Sequence, residues 1–200
     1  MIEKHISESI AVKERILKDA TFLSSVEGIS EILKDAYKKG GKLLIAGNGG
    51  SAGDAQHFAA EITCQYKLSR KGRPAIALHT DTSALTAWGN DKSFDLFFAR
   101  QVEALGVKGD VLVLISTSGN SKNLVLAAEK ARSMGITTIG LLGRDGGVLV
   151  KDGLCDNALV VPSFDTPHIQ ESHIMLIHIV CEALDEFFVE QDTQDAEKKV

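Results

Sequence analysis

Five apolar runs alternate with amphipathic stretches along this chain, and that alternation restricts the fold more than any other feature. The runs are KLLIAG (42–47), PAIALHT (74–80), DVLVLIS (110–116), TTIGLLG (137–143) and ALVVPS (158–163). Helical patterns separate them, over about Ser51–Tyr66, Ser93–Leu105, Ser121–Met134 and Ile169–Phe188. Ahead of the first run, residues 2–39 read as two more amphipathic helices, with Ile6, Ile10 and Leu17 at helical spacing in the first. Strands that are apolar throughout are buried on both faces, which requires a parallel sheet with helices on each side. The Ser121–Met134 pattern lines up Leu124, Ala128 and Ala131 and stops at Gly135, a residue suited to a helix C-terminus. No linker interrupts the pattern. The expected architecture is one doubly wound three-layer αβα domain over residues 1–190, with the helices of 2–39 as an N-terminal extension and a polar tail over 191–200.

Composition excludes more than it specifies. A net charge of −5 argues against a dedicated nucleic-acid surface, which needs clustered Lys and Arg. Cys64, Cys155 and Cys181 are odd in number and lack a C-x-x-C pair, the pattern of free thiols in a reducing compartment. The opening MIEKHISESI lacks the apolar core of a signal peptide, and no apolar run reaches membrane-spanning length. A cytoplasmic protein without nucleic-acid or membrane partners is expected.

In such sheets ligands bind at the carboxyl ends of the strands. Two loops there share a composition: GNGGS (47–51) after the first run and STSGNS (116–121) after the third. Neither contains Lys or Arg, and each opens a helix. Free backbone N–H groups at a helix N-terminus, helped by hydroxyls, hold a phosphate without a cation. GNGGS alone reads equally as a tight strand-to-helix turn. STSGNS is harder to reduce to a turn, because five hydroxyl or amide side chains surround one Gly. The dinucleotide fingerprint G-x-G-x-x-G is not matched at Gly47, Gly49 and Ala52, so a phosphorylated small molecule is favoured over a dinucleotide.

His57 and Glu61 follow the first loop at i, i+4 spacing and share a helix face. A surface His–Glu contact is the plain reading of such a pair. Their apolar surroundings, AQHFAAEIT, favour a third partner: a metal, a substrate or another charge. Gln170, Glu171, His173 and His178 on the last helix are the candidates. That helix carries Ile174, Ile177, Cys181, Leu184 and Phe188 as a stripe, widened by Leu176, Val180, Ala183 and Phe187. Such breadth points to burial against other subunits. A core histidine satisfied by a backbone carbonyl is the competing reading of His178.

AGNGGSAGDAQHFAAE, the Gly-Asn-Asp of WGND (88–91), GDVLVLISTSGNSKN and HIQESHI with its following Ile-His together resemble the sugar isomerase (SIS) domain, and within it the phosphoheptose isomerases, over about residues 5–188. The resemblance implies a homotetrameric cytosolic enzyme with a five-stranded flavodoxin-like sheet. It implies conversion of D-sedoheptulose 7-phosphate to D-glycero-D-manno-heptose 7-phosphate, the first step toward activated heptose for lipopolysaccharide or capsule. By matching motifs, His57, Glu61, Gln170 and His178 correspond to a zinc site with one Zn2+ per chain, and Glu61 and His178 to the catalytic pair. Asn48, Gly49, Gly50, Ser51, Glu61, Asn90, Asp91, Ser116, Thr117, Ser118, Ser121 and Gln170 correspond to substrate contacts.

The residue types suit that chemistry. Moving a proton between adjacent carbons through an enediol needs a base at carbon, an acid/base at oxygen and stabilisation of an oxyanion. Glu61 is the expected base and His178 the expected shuttle. Gln170 and His178 are eight residues apart, about 12 Å along one helix. A site assembled at a subunit interface is therefore expected. Two positions depart from the family pattern: Gln65 and His168 stand where Arg is usual, and Lys67, Arg70 or Lys71 are the nearest replacements. Related SIS proteins that act as scaffolds for the bacterial replication initiator replace the residues matching Glu61 and His178. Both are present here, which ranks the scaffold below an isomerase. An isomerase for another ketose phosphate is the remaining alternative.

Overall fold

The computed structural model describes residues 1–198. In chain order the elements are α1 (Ile2–Lys18), α2 (Ala20–Lys38), β1 (Leu43–Gly47), α3 (Gly50–Thr63), β2 (Ala75–Ala77), α4 (Thr82–Asp91), a 3-10 turn (Phe94–Leu96) and α5 (Phe97–Leu105). There follow β3 (Val111–Ser116), α6 (Lys122–Ser133), β4 (Thr137–Gly143), α7 (Gly147–Lys151), β5 (Asn157–Val161) and α8 (Thr166–Glu197). All five expected strands form one parallel sheet in the order β2-β1-β3-β4-β5. That is the flavodoxin-like order, whose switch point lies between β1 and β3.

Period-two alternation divides each strand between two cores. Leu43 and Ile45 of β1, with Val111, Val113 and Ile115 of β3, pack under α1, α2, α3 and α8. Leu44, Ala46, Leu112 and Leu114 pack on the opposite face under α5, α6 and α7. The αβα sandwich follows directly from these apolar strands. Gly135, past the end of α6, has φ +68°, the left-handed conformation expected of it.

Four features of the helices differ from the sequence expectation. In α1 the buried residues are Val12 and Ile16, while Ile6, Ile10 and Leu17 are exposed, so the stripe at helical spacing faces away from the chain's own core. The apolar face of α8 is consumed mostly within the chain: Leu176, Ile177, Val180, Cys181, Leu184 and Phe188 are buried in the core shared with α1–α3, and Ile179 faces outward. The polar stretch from Gln191 continues α8 to Glu197, where Asp192 receives Arg73 at 2.7 Å. Residues 199–200 of the expected tail lie outside the described residues. Two helices, α4 and α7, have no counterpart in the sequence reading. Both are short, and tertiary contact rather than a long apolar stripe holds them.

Candidate active site

The carboxyl ends of β1 and β3 lie side by side at the switch point, and the two loops anticipated as anion cradles extend from them. Asn48 and Asn123 join these loops through a reciprocal amide pair, Asn48 Nδ2 to Asn123 Oδ1 at 3.0 Å and Asn123 Nδ2 to Asn48 Oδ1 at 2.9 Å. Asn123 was not singled out in the sequence; its only signal is its place two residues into the helix after STSGNS. Within that loop Ser116 is buried and its Oγ accepts from Gly119 N at 3.0 Å, closing the turn. Ser118 Oγ accepts from Asn120 N at 3.3 Å. Ser121 stands at the N-cap of α6 without making a side-chain cap bond, and Thr117 is half-buried beside it.

GNGGS turns directly into α3. Gly49 and Gly50 are exposed and Ser51 is buried. A Cβ at Gly50 would meet the side-chain amide of Gln170, which would have to shift, so α8 approaches the loop closely here. Two turns further along each helix, His57 Nε2 lies 3.0 Å from His178 Nε2. Thus α3 and α8 run alongside in one direction, with Gln170 at the loop and His178 beside His57. As the eight-residue spacing implied, Gln170 of the same chain does not join the His57–His178 contact, because the rigid helix separates the two by about 12 Å. It also shows that His57, Glu61 and His178 meet without a second chain.

His57 Nε2 is 3.3 Å from Glu61 Oε1, with side-chain exposures of 41% and 21%. Spacings of this size fit zinc: two ligand atoms about 2.05 Å from a tetrahedral ion are roughly 3.3 Å apart. The donor set, two imidazole nitrogens and a carboxylate, is also one that zinc accepts. No group of three or more His, Cys, Asp or Glu side chains is placed to hold a metal ion among the described residues. The three cysteines are free and none belongs to this cluster. Asp54, on the same face of α3 between Gly50 and His57, is buried with Oδ2 unpartnered. Burial pushes its pKa up to about 6 against the pull of His57.

The other expected residues lie as follows. Asn90 and Asp91 bond each other at 2.9 Å on the exposed end of α4, with no hydrogen bond to the two loops among the described residues. His173, not His178, is the core histidine bonded to a carbonyl: its ring nitrogen meets Leu142 O at 2.9 Å. Glu171 receives Lys13 at 3.0 Å and His168 at 3.2 Å. His168 is 3% exposed, 3.4 Å from Asp165 and 4.6 Å ring-to-ring from His5, so it ties α1 to α8. Gln65 is exposed. None of the three nearby cations stands free to replace an arginine: Lys67 pairs with Glu182 at 2.8 Å, Lys71 with Asp192 at 3.6 Å, and Arg70 is buried against Asp185.

Two cation-free loops at the switch point of a flavodoxin-like sheet, two turns from a His–Glu–His cluster, match the arrangement expected of a sugar-phosphate isomerase. The SIS domain family model matches residues 5–143. The phosphoheptose isomerase of Clostridium acetobutylicum is 54% identical over 184 residues, covering 92% of this chain and 93% of that protein. Among solved structures, the phosphoheptose isomerase from Neisseria gonorrhoeae is 45% identical with a TM-score of 0.85, covering 92% of this chain and 97% of that one. The enzyme from Francisella tularensis is 34% identical with a TM-score of 0.87, covering 92% and 96%. The chain belongs to the phosphoheptose isomerase family.

Proposed function

We infer that this chain converts D-sedoheptulose 7-phosphate to D-glycero-D-manno-heptose 7-phosphate, with Glu61 and His178 as the proton-transfer pair. The observation that carries this reading is the convergence of His57, Glu61 and His178 two to three turns behind the GNGGS loop.

The loops set the substrate. Exposed Gly49 and Gly50 offer backbone to the sugar, while Ser118, Ser121 and the N-terminus of α6 receive the phosphate, with Thr117 and the buried Ser116 and Ser51 shaping the floor. Asn90 and Asp91 contact the sugar hydroxyls once the loop and a neighbouring copy close around them. Glu61 then takes a proton from C1 of the ketose and delivers it to C2 of the enediol. His178 gives a proton to the C2 oxygen and takes one from the C1 oxygen, so the net change is one hydrogen moved from each of C1 and O1 to C2 and O2. Oε1 of Glu61 is the oxygen turned to His57, which leaves Oε2 for the carbon acid.

His57, Glu61 and His178 would hold a zinc ion, one per chain, with Gln170 as the fourth donor. When bound, the ion would polarise the reacting oxygens and lower the cost of the enediolate. Since Gln170 lies two turns from His178 on α8, the donor completing the set would be Gln170 of a neighbouring copy. This reading goes with a homotetramer, for which the outward residues Ile6, Ile10, Leu17 and Ile179 are available apolar surface. No helix among the described residues is long and apolar enough to cross a membrane. We place the enzyme in the cytoplasm, at the start of activated-heptose supply for lipopolysaccharide or capsule.

The test is turnover on a panel of C5–C7 ketose phosphates, with and without a chelator. Preference for the seven-carbon substrate and loss of activity with chelator are expected. Preference for a shorter ketose, or no turnover of any, would remove this reading.

A further inference from the structure

A charge pair that takes no part in the proposed chemistry anchors the loop leaving α3. The side chains of Arg70 and Asp185 are 0% and 1% exposed, with Arg70 Nε 2.6 Å from Asp185 Oδ1. Asp185 Oδ2 accepts from the backbone N–H of Lys67 at 2.7 Å and of Leu68 at 2.8 Å. Burial would raise the Asp185 pKa, but these N–H groups and the guanidinium outweigh it and hold the carboxyl below its ordinary range. From its other edge the guanidinium donates to the carbonyls of Glu61 at 2.8 Å and Ile62 at 3.0 Å, in the last turn of α3. Helix C-terminal carbonyls lack partners of their own and favour a cation. The loop is thereby fixed at both ends, to α8 through Asp185 and to α3 through Arg70.

Tyr66 lies between these anchors. Its ring stacks on the imidazole of His178, with centroids 5.5 Å apart and planes 19° from parallel. His57 touches the same imidazole edge-on, at 5.1 Å and 62°. The outer torsion of a histidine has a broad profile, so an edge contact alone leaves the ring free to rock. A face contact removes that freedom.

We propose that Tyr66 is a positioning residue for the isomerisation, its ring fixing the plane of the His178 imidazole beside His57. This rests on the reading of His178 as the proton shuttle. Misplacing a catalytic group by about 1 Å can cost roughly a hundredfold in rate, so the effect belongs in kcat.

Tyr66→Ala, Tyr66→Phe and His178→Gln are assayed with sedoheptulose 7-phosphate, and bound zinc is measured on the same preparations. Tyr66→Ala is expected to lower kcat by at least about tenfold with KM within about twofold and zinc content unchanged. Tyr66→Phe keeps the stack and should restore kcat to within about twofold of the parent. If Tyr66→Ala keeps the parental kcat while His178→Gln is inactive, the positioning role is wrong and the shuttle stands. An equal loss in Tyr66→Phe overturns the proposal in favour of the hydroxyl, and loss of zinc in Tyr66→Ala overturns it in favour of metal retention. An active His178→Gln overturns the shuttle and this proposal together.

Discussion

Asn48 and Asn123, 75 residues apart, bond each other's side-chain amides in both directions across the switch point. Each amide donates one N–H and accepts at its oxygen, so the pair fixes the spacing between the loops after β1 and β3. Asn123→Asp keeps the shape but removes the donor, setting two oxygens against each other. Leaving a buried acceptor unpaired costs about 1–3 kcal/mol. KM for the sugar phosphate should rise by roughly tenfold, with a smaller change in kcat. Steady-state kinetics beside a melting curve check this; a lowered Tm with unchanged KM would make the pair a fold contact only.

Glu61→Gln retains volume and removes the base. Turnover should vanish while folding and assembly persist, read by kinetics and by size-exclusion chromatography. His178→Gln should likewise reduce kcat rather than raise KM. A Glu61→Gln protein with near-parental rate would assign the base elsewhere.

Ser118 and Ser121 provide hydroxyls at the N-terminus of α6, and Ser121 makes no competing cap bond. Each Ser→Ala change should raise KM by about tenfold, roughly 1.4 kcal/mol for one lost contact. Silence of both substitutions would reduce STSGNS to a turn.

Protein purified without chelator should carry up to about one zinc per chain. Removing the ion should abolish activity and lower Tm, since a ligand that binds only the folded state at a hundred times its Kd contributes about 2.7 kcal/mol. Zinc should restore both. Full activity and an unchanged Tm in the stripped protein would return His57 and Glu61 to a helix-surface contact.

Burial lowers the pKa of His173 from 6.5 to about 4, against the opposing effect of its bond to Leu142 O. Because the folded pKa is depressed, the unfolded chain binds a proton that the folded one refuses. Stability is fully present above about pH 6.5 and falls as pH drops toward 4, by up to roughly 3 kcal/mol. Urea unfolding at pH 7 and pH 5 should show the loss, and His173→Asn, which does not titrate, should show a flatter profile.

The sheet was legible because continuous apolar strands admit only a two-sided, parallel arrangement, and the loops GNGGS and STSGNS announced their position at strand ends. The separate helices α4 and α7 were not legible, because short segments derive their order from neighbours rather than from periodicity.

Sequence alone determined the layer architecture, the residue types of the site and, by motif, the family. Only the folded chain decided which groups meet. Helix spacing brings His57 beside Glu61, but bringing His178 to His57 depends on α3 and α8 packing in one direction with matched register. That packing also gives Gln170 to the loop and assigns to His173 and His168 the structural bonds that a linear reading would grant any histidine of α8. Side-chain pairing over such separations is set by the packing of helices across the sheet, and no local pattern in the chain encodes it.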